Sequence, residues 1–210
     1  MNSNQQTHDE EEQEEFTVMK PKLVSYPSSD SDGSEDEGED GVDWQNWFMM
    51  YVKNNQPEML DEYLKSTPET NVDINGYLNP ETLLTPLMFC CIKDYESLVQ
   101  VLCSDRRLDP NKRDIEGFTA LHFALDEGNP EIVSLIISLP NIQLDVKDRA
   151  DRSLAEVAVQ SDLARKDFTC TEVLSEVPGI DWSFTDCLGR TLLMIACREH
   201  PGVYIMFWGK

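Results

Sequence analysis

The sequence predicts an all-α solenoid of stacked helix–turn–helix units with short turn fingers, preceded by a disordered tail. Three observations predict it. An apolar block behind a Thr or Ser returns at offsets of 34, 34 and 38 residues, the mark of a repeat array rather than of one folded core. The residues between these returns fall at the three-four spacing of amphipathic helices. The first part of the chain is instead rich in acid and serine and poor in apolar side chains.

The tail covers residues 1–42. Fourteen acids against Lys20 and Lys22 place −12 of the total charge of −23 between Met1 and Asp43. Runs such as EEEQEE and SSDSDGSEDEGED repel themselves and bury too little to offset the entropy of ordering. A short island, Phe16 to Met19 and then Leu23 to Tyr26, is the part of the tail able to fold onto something. Composition changes abruptly at Trp44. Trp44, Trp47, Phe48, Tyr51 and Val52 predict one helix, and Met59, Leu60, Tyr63 and Leu64 predict a second after Pro57. Residues 43–75, ending in Val72-Asp73-Ile74-Asn75, read as an N-terminal capping repeat. Repeats at 76–113, 114–147 and 148–185 and an incomplete one at 186–210 follow.

The returning blocks are Thr85-Pro-Leu-Met-Phe-Cys-Cys, Thr119-Ala-Leu-His-Phe-Ala-Leu, Ser153-Leu-Ala-Glu-Val-Ala-Val and Thr191-Leu-Leu-Met-Ile-Ala-Cys. Asp114, Asp148 and Asp186 stand five residues ahead of the last three, where an aspartate builds a turn and Gly117 or Gly189 supplies positive φ. The Thr or Ser hydroxyl then caps the inner helix. Leu98 to Leu102, Ile132 to Ile137 and Thr171 to Leu174 read as second helices. Small side chains at Cys90, Cys91, Ala124, Ala158, Ala196 and Cys197 let neighbouring helices approach. Leu87, Leu121, Leu193, Leu135 and Ile136 fill the space between layers.

This pattern resembles the ankyrin repeat, whose family sequence runs D-x-x-G-x-T-P-L-H-x-A-A with a later E-I-V-x-L-L. Gly117, Thr119, Leu121, His122, Ala124, Gly128, Glu131, Ile132, Val133, Leu135 and Ile137 occupy family positions in the best-matching repeat. HEAT and armadillo arrays have longer periods and lack the D-x-x-G turn. The third block departs from the pattern. Asp151 replaces the turn glycine, Leu154-Ala155 replaces Pro-Leu, and four extra residues lie between Gln160 and Phe168, which marks it as the weakest link of the stack. The segment Gly76 to Leu84 is about two residues longer than the family's turn.

Strong negative charge repels phosphate backbones and anionic headgroups, so direct nucleic-acid or membrane-surface binding is not expected. The first ten residues lack a basic region and an apolar stretch, and no wholly apolar run, Val203 to Trp208 included, exceeds six residues, so neither export nor membrane spanning is expected. Six cysteines then read as thiols in a cytoplasmic or nuclear protein. Cys90, Cys91, Cys103 and Cys197 take small or core positions, and Cys187, Cys197 and His200 lack the paired spacing of a zinc site. The resemblance makes His122 structural, its imidazole bonding backbone between neighbouring repeats. No G-x-S-x-G, H-E-x-x-H or phosphate-binding glycine loop occurs, so neither catalysis nor a cofactor or metal is expected. In the tail, Ser29 and Ser34 have acids three residues on, as an acidophilic kinase requires. Phosphate on Ser34 would supply the acid for Ser31, and phosphate on Ser31 the acid for Ser28.

The expected function is a protein–protein interaction module, an adaptor or scaffold. The resemblance implies that a protein partner binds the concave face built by fingers and inner helices. The positions expected to serve it, as ones the fold does not need for itself, are Ile115, Glu116, Phe118, Asp126, Glu127, Arg149, Arg152, Gln160, Cys187, Leu188, Arg190, Arg198 and Glu199. Two other readings remain open. One is an acidic-tail escort of basic proteins such as histones or ribosomal proteins. The other is a phospho-regulated inhibitor subunit that joins an acidic arm to repeats of this family. The run Val203 to Trp208 reads either as the cut end of a longer array or as a patch for self-association or a partner.

Overall fold

The computed structural model describes residues 44–67, 70–183, 185 and 188–199, except the side chains of Leu193, Ala196 and Glu199. The acidic tail with Ser28, Ser29, Ser31 and Ser34, and the run Val203 to Trp208, lie outside the described residues, as does Cys187.

Nine helices form among the described residues, in five successive units. They are α1 (Trp44–Lys53) with α2 (Pro57–Ser66), α3 (Pro86–Ile92) with α4 (Glu96–Ser104), α5 (Ala120–Glu127) with α6 (Pro130–Ile137), α7 (Leu154–Arg165) with α8 (Thr169–Ser175), and α9 (Leu192–Glu199). These units are called repeats 1 to 5 below. The inner helices α1, α3, α5, α7 and α9 pack in one row and α2, α4, α6 and α8 in another, each inner helix of the first four repeats also resting on its own outer helix. Among the described residues no strand forms, only isolated bridges such as Asn79 to Leu84 and Lys147 to Ser153 at the base of fingers.

Local chemistry sets each helix start. The Thr85 hydroxyl accepts from Met88 N at 3.3 Å, Ser153 from Glu156 N at 3.3 Å and Thr191 from Met194 N at 3.2 Å, satisfying N–H groups that the first helical turn leaves unpaired. Phe48, Leu60, Met88, Leu98, Leu121, Leu125, Ile132, Ile136 and Leu174 lie within a continuous core. Cys90, Cys91, Ala124 and Ala158 are buried where inner helices meet, as their size requires. Leu135, Ile137 and Cys103, in contrast to the expectation, are half-buried at the core's margin.

The fingers share one backbone device. Two residues before each cap the chain is left-handed, with φ of 58° at Leu83, 83° at Gly117, 62° at Asp151 and 72° at Gly189. Asp tolerates this conformation and glycine is free in it, whereas a bulky leucine is strained there. Asp151 therefore keeps the turn that a glycine would have made. Asp151→Gly is expected to raise stability by about 0.5 to 1 kcal/mol, because the left-handed cost disappears and the exposed Lys147–Asp151 pair at 3.3 Å contributes little. A lower urea midpoint for the variant would show that Asp151 is not strained. The four extra residues of the third block lengthen its inner helix by one turn: α7 has 12 residues, where α3, α5 and α9 have 7 or 8.

Candidate functional site

The finger tips and inner helices form one edge of the stack, and the first determinant of that edge is the turn aspartate. Asp114 Oδ1 accepts from Glu116 N at 2.9 Å and Phe118 N at 2.8 Å. Asp148 Oδ1 accepts from Arg152 N at 2.9 Å. With their turns held this way, adjacent fingers bond edge to edge: Ile115 N donates to Thr82 O and Arg149 N to Glu116 O, both at 3.0 Å. On the first finger the matching N–H, that of Glu81, is taken instead by Asn79 Oδ1 in its own loop at 2.9 Å.

The fold itself uses four of the side chains expected to serve a partner. The Phe118 ring stands 5.6 Å from His122 and 5.5 Å from Phe123, and the Arg152 guanidinium lies over it at 5.7 Å. Arg152 Nε donates to Asp148 Oδ2 at 2.7 Å, and Gln160 Nε2 donates to Glu156 Oε1 at 3.1 Å while its own Oε1 faces Arg152 Nη1 at 3.5 Å. Asp126 Oδ1 accepts from Ser161 Oγ at 2.8 Å. The expectation that these positions were spare is thus corrected for Phe118, Asp126, Arg152 and Gln160. Two of these contacts, Arg152 over Phe118 and Ser161 to Asp126, cross from one repeat to the next, which spacing within one repeat does not reveal.

Ile115, Glu116, Glu127 and Arg149 remain exposed. Ile115 is 41% exposed at the tip of a well-formed turn. Leu188 is 73% exposed, Arg198 is exposed and Arg190 is half-buried. Sequence reasoning missed Tyr77 on the long first finger, 40% exposed with Lys112 Nζ 5.8 Å from its ring centroid, and Met194 on α9, 59% exposed. Tyr77 lies within the overlong Gly76 to Leu84 segment, which was the available signal.

His122 differs from its expected role. Its Nδ1 accepts from Thr119 N at 3.1 Å and faces Thr119 Oγ1 at 2.9 Å, so its bonds stay within its own repeat. The third residue of a helix folds back on the cap, as in a capping box. Nε2 is buried with no hydrogen-bond partner among the described residues. Burial pushes its pKa down to about 4, with Arg113 and Arg152 acting in the same direction against Asp148, so the imidazole is neutral at pH 7. Burial likewise pushes the Cys90 and Cys170 thiols up to about 12 and Cys103 up to about 11, and holds Cys91 well above the usual range. All four stay protonated at neutral pH, the unreactive form of the thiol. Among the described residues no three His, Cys, Asp or Glu side chains gather to hold a metal ion, and no helix is long and apolar enough to cross a membrane.

A second ladder runs at the loops that follow the outer helices. Asp73, Asp109, Asp145 and Asp181 recur 36 residues apart. Three of them accept from the N–H two residues on, those of Asn75, Asn111 and Ser183, at 2.9 to 3.0 Å. In this turn Asn75 Nδ2 donates to Arg107 O and its Oδ1 accepts from Asp109 N, both at 2.8 Å. Asn111 does the same one repeat later with Asn141 O and Gln143 N, both at 2.9 Å. The D-x-N spacing signalled this ladder and sequence reasoning passed over it.

Comparison with known proteins agrees with this geometry. Residues 48–148 match the family model for ankyrin repeats, in three copies. An ankyrin repeat protein of Rickettsia bellii (strain RML369-C) is 39% identical over 46 residues, 22% of this chain and 47% of that relative. The chain thus matches about half the length of that protein.

Proposed function

Because residues 48–148 are ankyrin repeats, we propose that the chain is a non-catalytic adaptor or scaffold that holds a protein partner along its fingers and inner helices. The observation that carries this reading is the exposed Ile115 at a finger tip, flanked by Glu116 and Arg149. The fold is complete without their side chains, while an apolar anchor inside a polar rim is what protein interfaces use. The neutral, bonded His122 and the protonated thiols support a role without chemistry. The thiols at Cys90, Cys91, Cys103, Cys170 and Cys197 also fit a protein of the reducing cytoplasm or nucleus.

The test places a photoreactive residue at Ile115, or at Ser134 on the exposed side of α6, in the full chain. Crosslinking of one partner at position 115 and not at 134 is expected. Ile115→Glu is expected to weaken capture of that partner at least tenfold, about 1.4 kcal/mol, while the melting temperature stays within about 2 °C, as for a surface change. Equal capture by wild type and variant would remove the finger edge from the interface. Binding that instead vanishes on deletion of residues 1–42 and falls steeply with salt would favour the escort of basic proteins.

A further inference from the structure

The joint between repeats 3 and 4 is built unlike the two before it. Asn75 joins repeat 1 to repeat 2 and Asn111 joins repeat 2 to repeat 3, each through two hydrogen bonds from one amide side chain. Lys147 stands at the next place in this series, and an ammonium group has no acceptor with which to make the second bond. The same joint carries the extra turn of α7.

Two residues of that turn, Asp162 and Arg165, and Ser161 just before it reach back across the joint or hold its far side. Ser161 Oγ donates to Asp126 Oδ1 at 2.8 Å. Arg165 donates from Nη2 to Leu125 O at 3.0 Å and from Nη1 to Asp126 O. Leu125 and Asp126 lie in the last turn of α5, whose carbonyls have no partner within their own helix and carry the negative end of its dipole, so a guanidinium there satisfies both needs. Asp162, 1% exposed, accepts from Thr171 N in α8 at 2.8 Å and faces Arg165 Nη2 at 3.4 Å. One side-chain chain therefore runs from α5 through α7 to α8. Its fit depends on Gly128, the left-handed residue that ends α5 at φ 79°: a Cβ there would collide with the Arg165 guanidinium.

We propose that the extra turn of α7 is a clasp that replaces the missing amide rung, and that through it repeats 3 and 4 open as one cooperative unit. Adjacent repeats separate energetically where the interface between them is weak. The clasp prevents that separation at the joint where the ladder stops.

The test is native-state hydrogen exchange of the full chain at low denaturant. In the wild type, amides of α5 and of α8 are expected to exchange through one opening with a common rate and a common denaturant dependence. In Arg165→Ala the α8 amides are expected to exchange at least tenfold faster than those of α5, with a shallower denaturant dependence. Gly128→Ala, which displaces the guanidinium without removing its charge, is expected to split the two groups as well. Ser161→Ala removes one bond from a small side chain, and a split of about threefold is expected. It serves as the measurement if the other variants do not fold. Asn111→Ala is expected to separate repeat 2 from repeat 3 while α5 and α8 still exchange together. Different rates for α5 and α8 in the wild type, or a common rate that survives in both Arg165→Ala and Ser161→Ala, would overturn the proposal.

Discussion

Leu121→Ala is expected to cost about 2 to 5 kcal/mol of stability, the usual loss for a fully buried leucine. Leu121 is 0% exposed in α5, the helix that packs against α3, α6 and α7 at once. The void left by the change lies in the middle of the row, where helices fixed on both sides cannot collapse to fill it. A single domain holds only about 5 to 15 kcal/mol in total, so the variant loses a large share of its margin. Urea unfolding followed by circular dichroism measures the loss. A change below about 0.5 kcal/mol, the size of a surface effect, would place Leu121 outside the core.

Asp148→Ala is expected to cost about 2 to 4 kcal/mol, from two hydrogen bonds that involve a charged acceptor. The Asp148 carboxylate, its side chain 1% exposed, takes Arg152 N on one oxygen and Arg152 Nε on the other. Burial alone would raise its pKa. The bonds from the Arg152 backbone and guanidinium outweigh burial and hold it below the usual carboxylate range. A depressed folded pKa gives stability that is present above the unfolded value of about 3.9 and is lost as pH falls through the folded value. The gap between wild type and Asp148→Ala should therefore be constant from pH 7 to about 5 and shrink below about 4. An unchanged gap at pH 3 would show that the lost bonds do not depend on the charge. Asp162 titrates in the opposite sense: burial raises its carboxyl, so its contribution is present below its unfolded value and lost as pH rises through the folded one.

The fold was legible because the inner helices α5, α7 and α9 each announce themselves three times, by a turn aspartate, a capping hydroxyl and a small-and-large alternation, all within about a dozen residues. The additional turn of α7 was legible as four extra residues, although counting did not say which element absorbs them. Phe118 and Arg152 were harder. Their stacking depends on which side chains face each other between repeats, and that depends on the rotation of one helix pair against the next. His122 carried a family role whose second half is not realised, since its Nδ1 is spent on its own cap and Nε2 meets no acceptor among the described residues. Asn75 and Asn111 were passed over because a lone Asn after Asp-x reads as an ordinary turn until the 36-residue recurrence is set beside it.

The buried cysteines make the array its own reporter. Cys90 and Cys91 lie in α3 and Cys170 in α8, all 0% exposed and all held as thiols. Only a thiolate in contact with solvent attacks an alkylating reagent, so each sulfur must wait for its own part of the stack to open. The rate at which iodoacetamide marks α3 relative to α8 is therefore a clock for the order in which repeats 2 and 4 open, readable by mass spectrometry at cysteines the chain already carries.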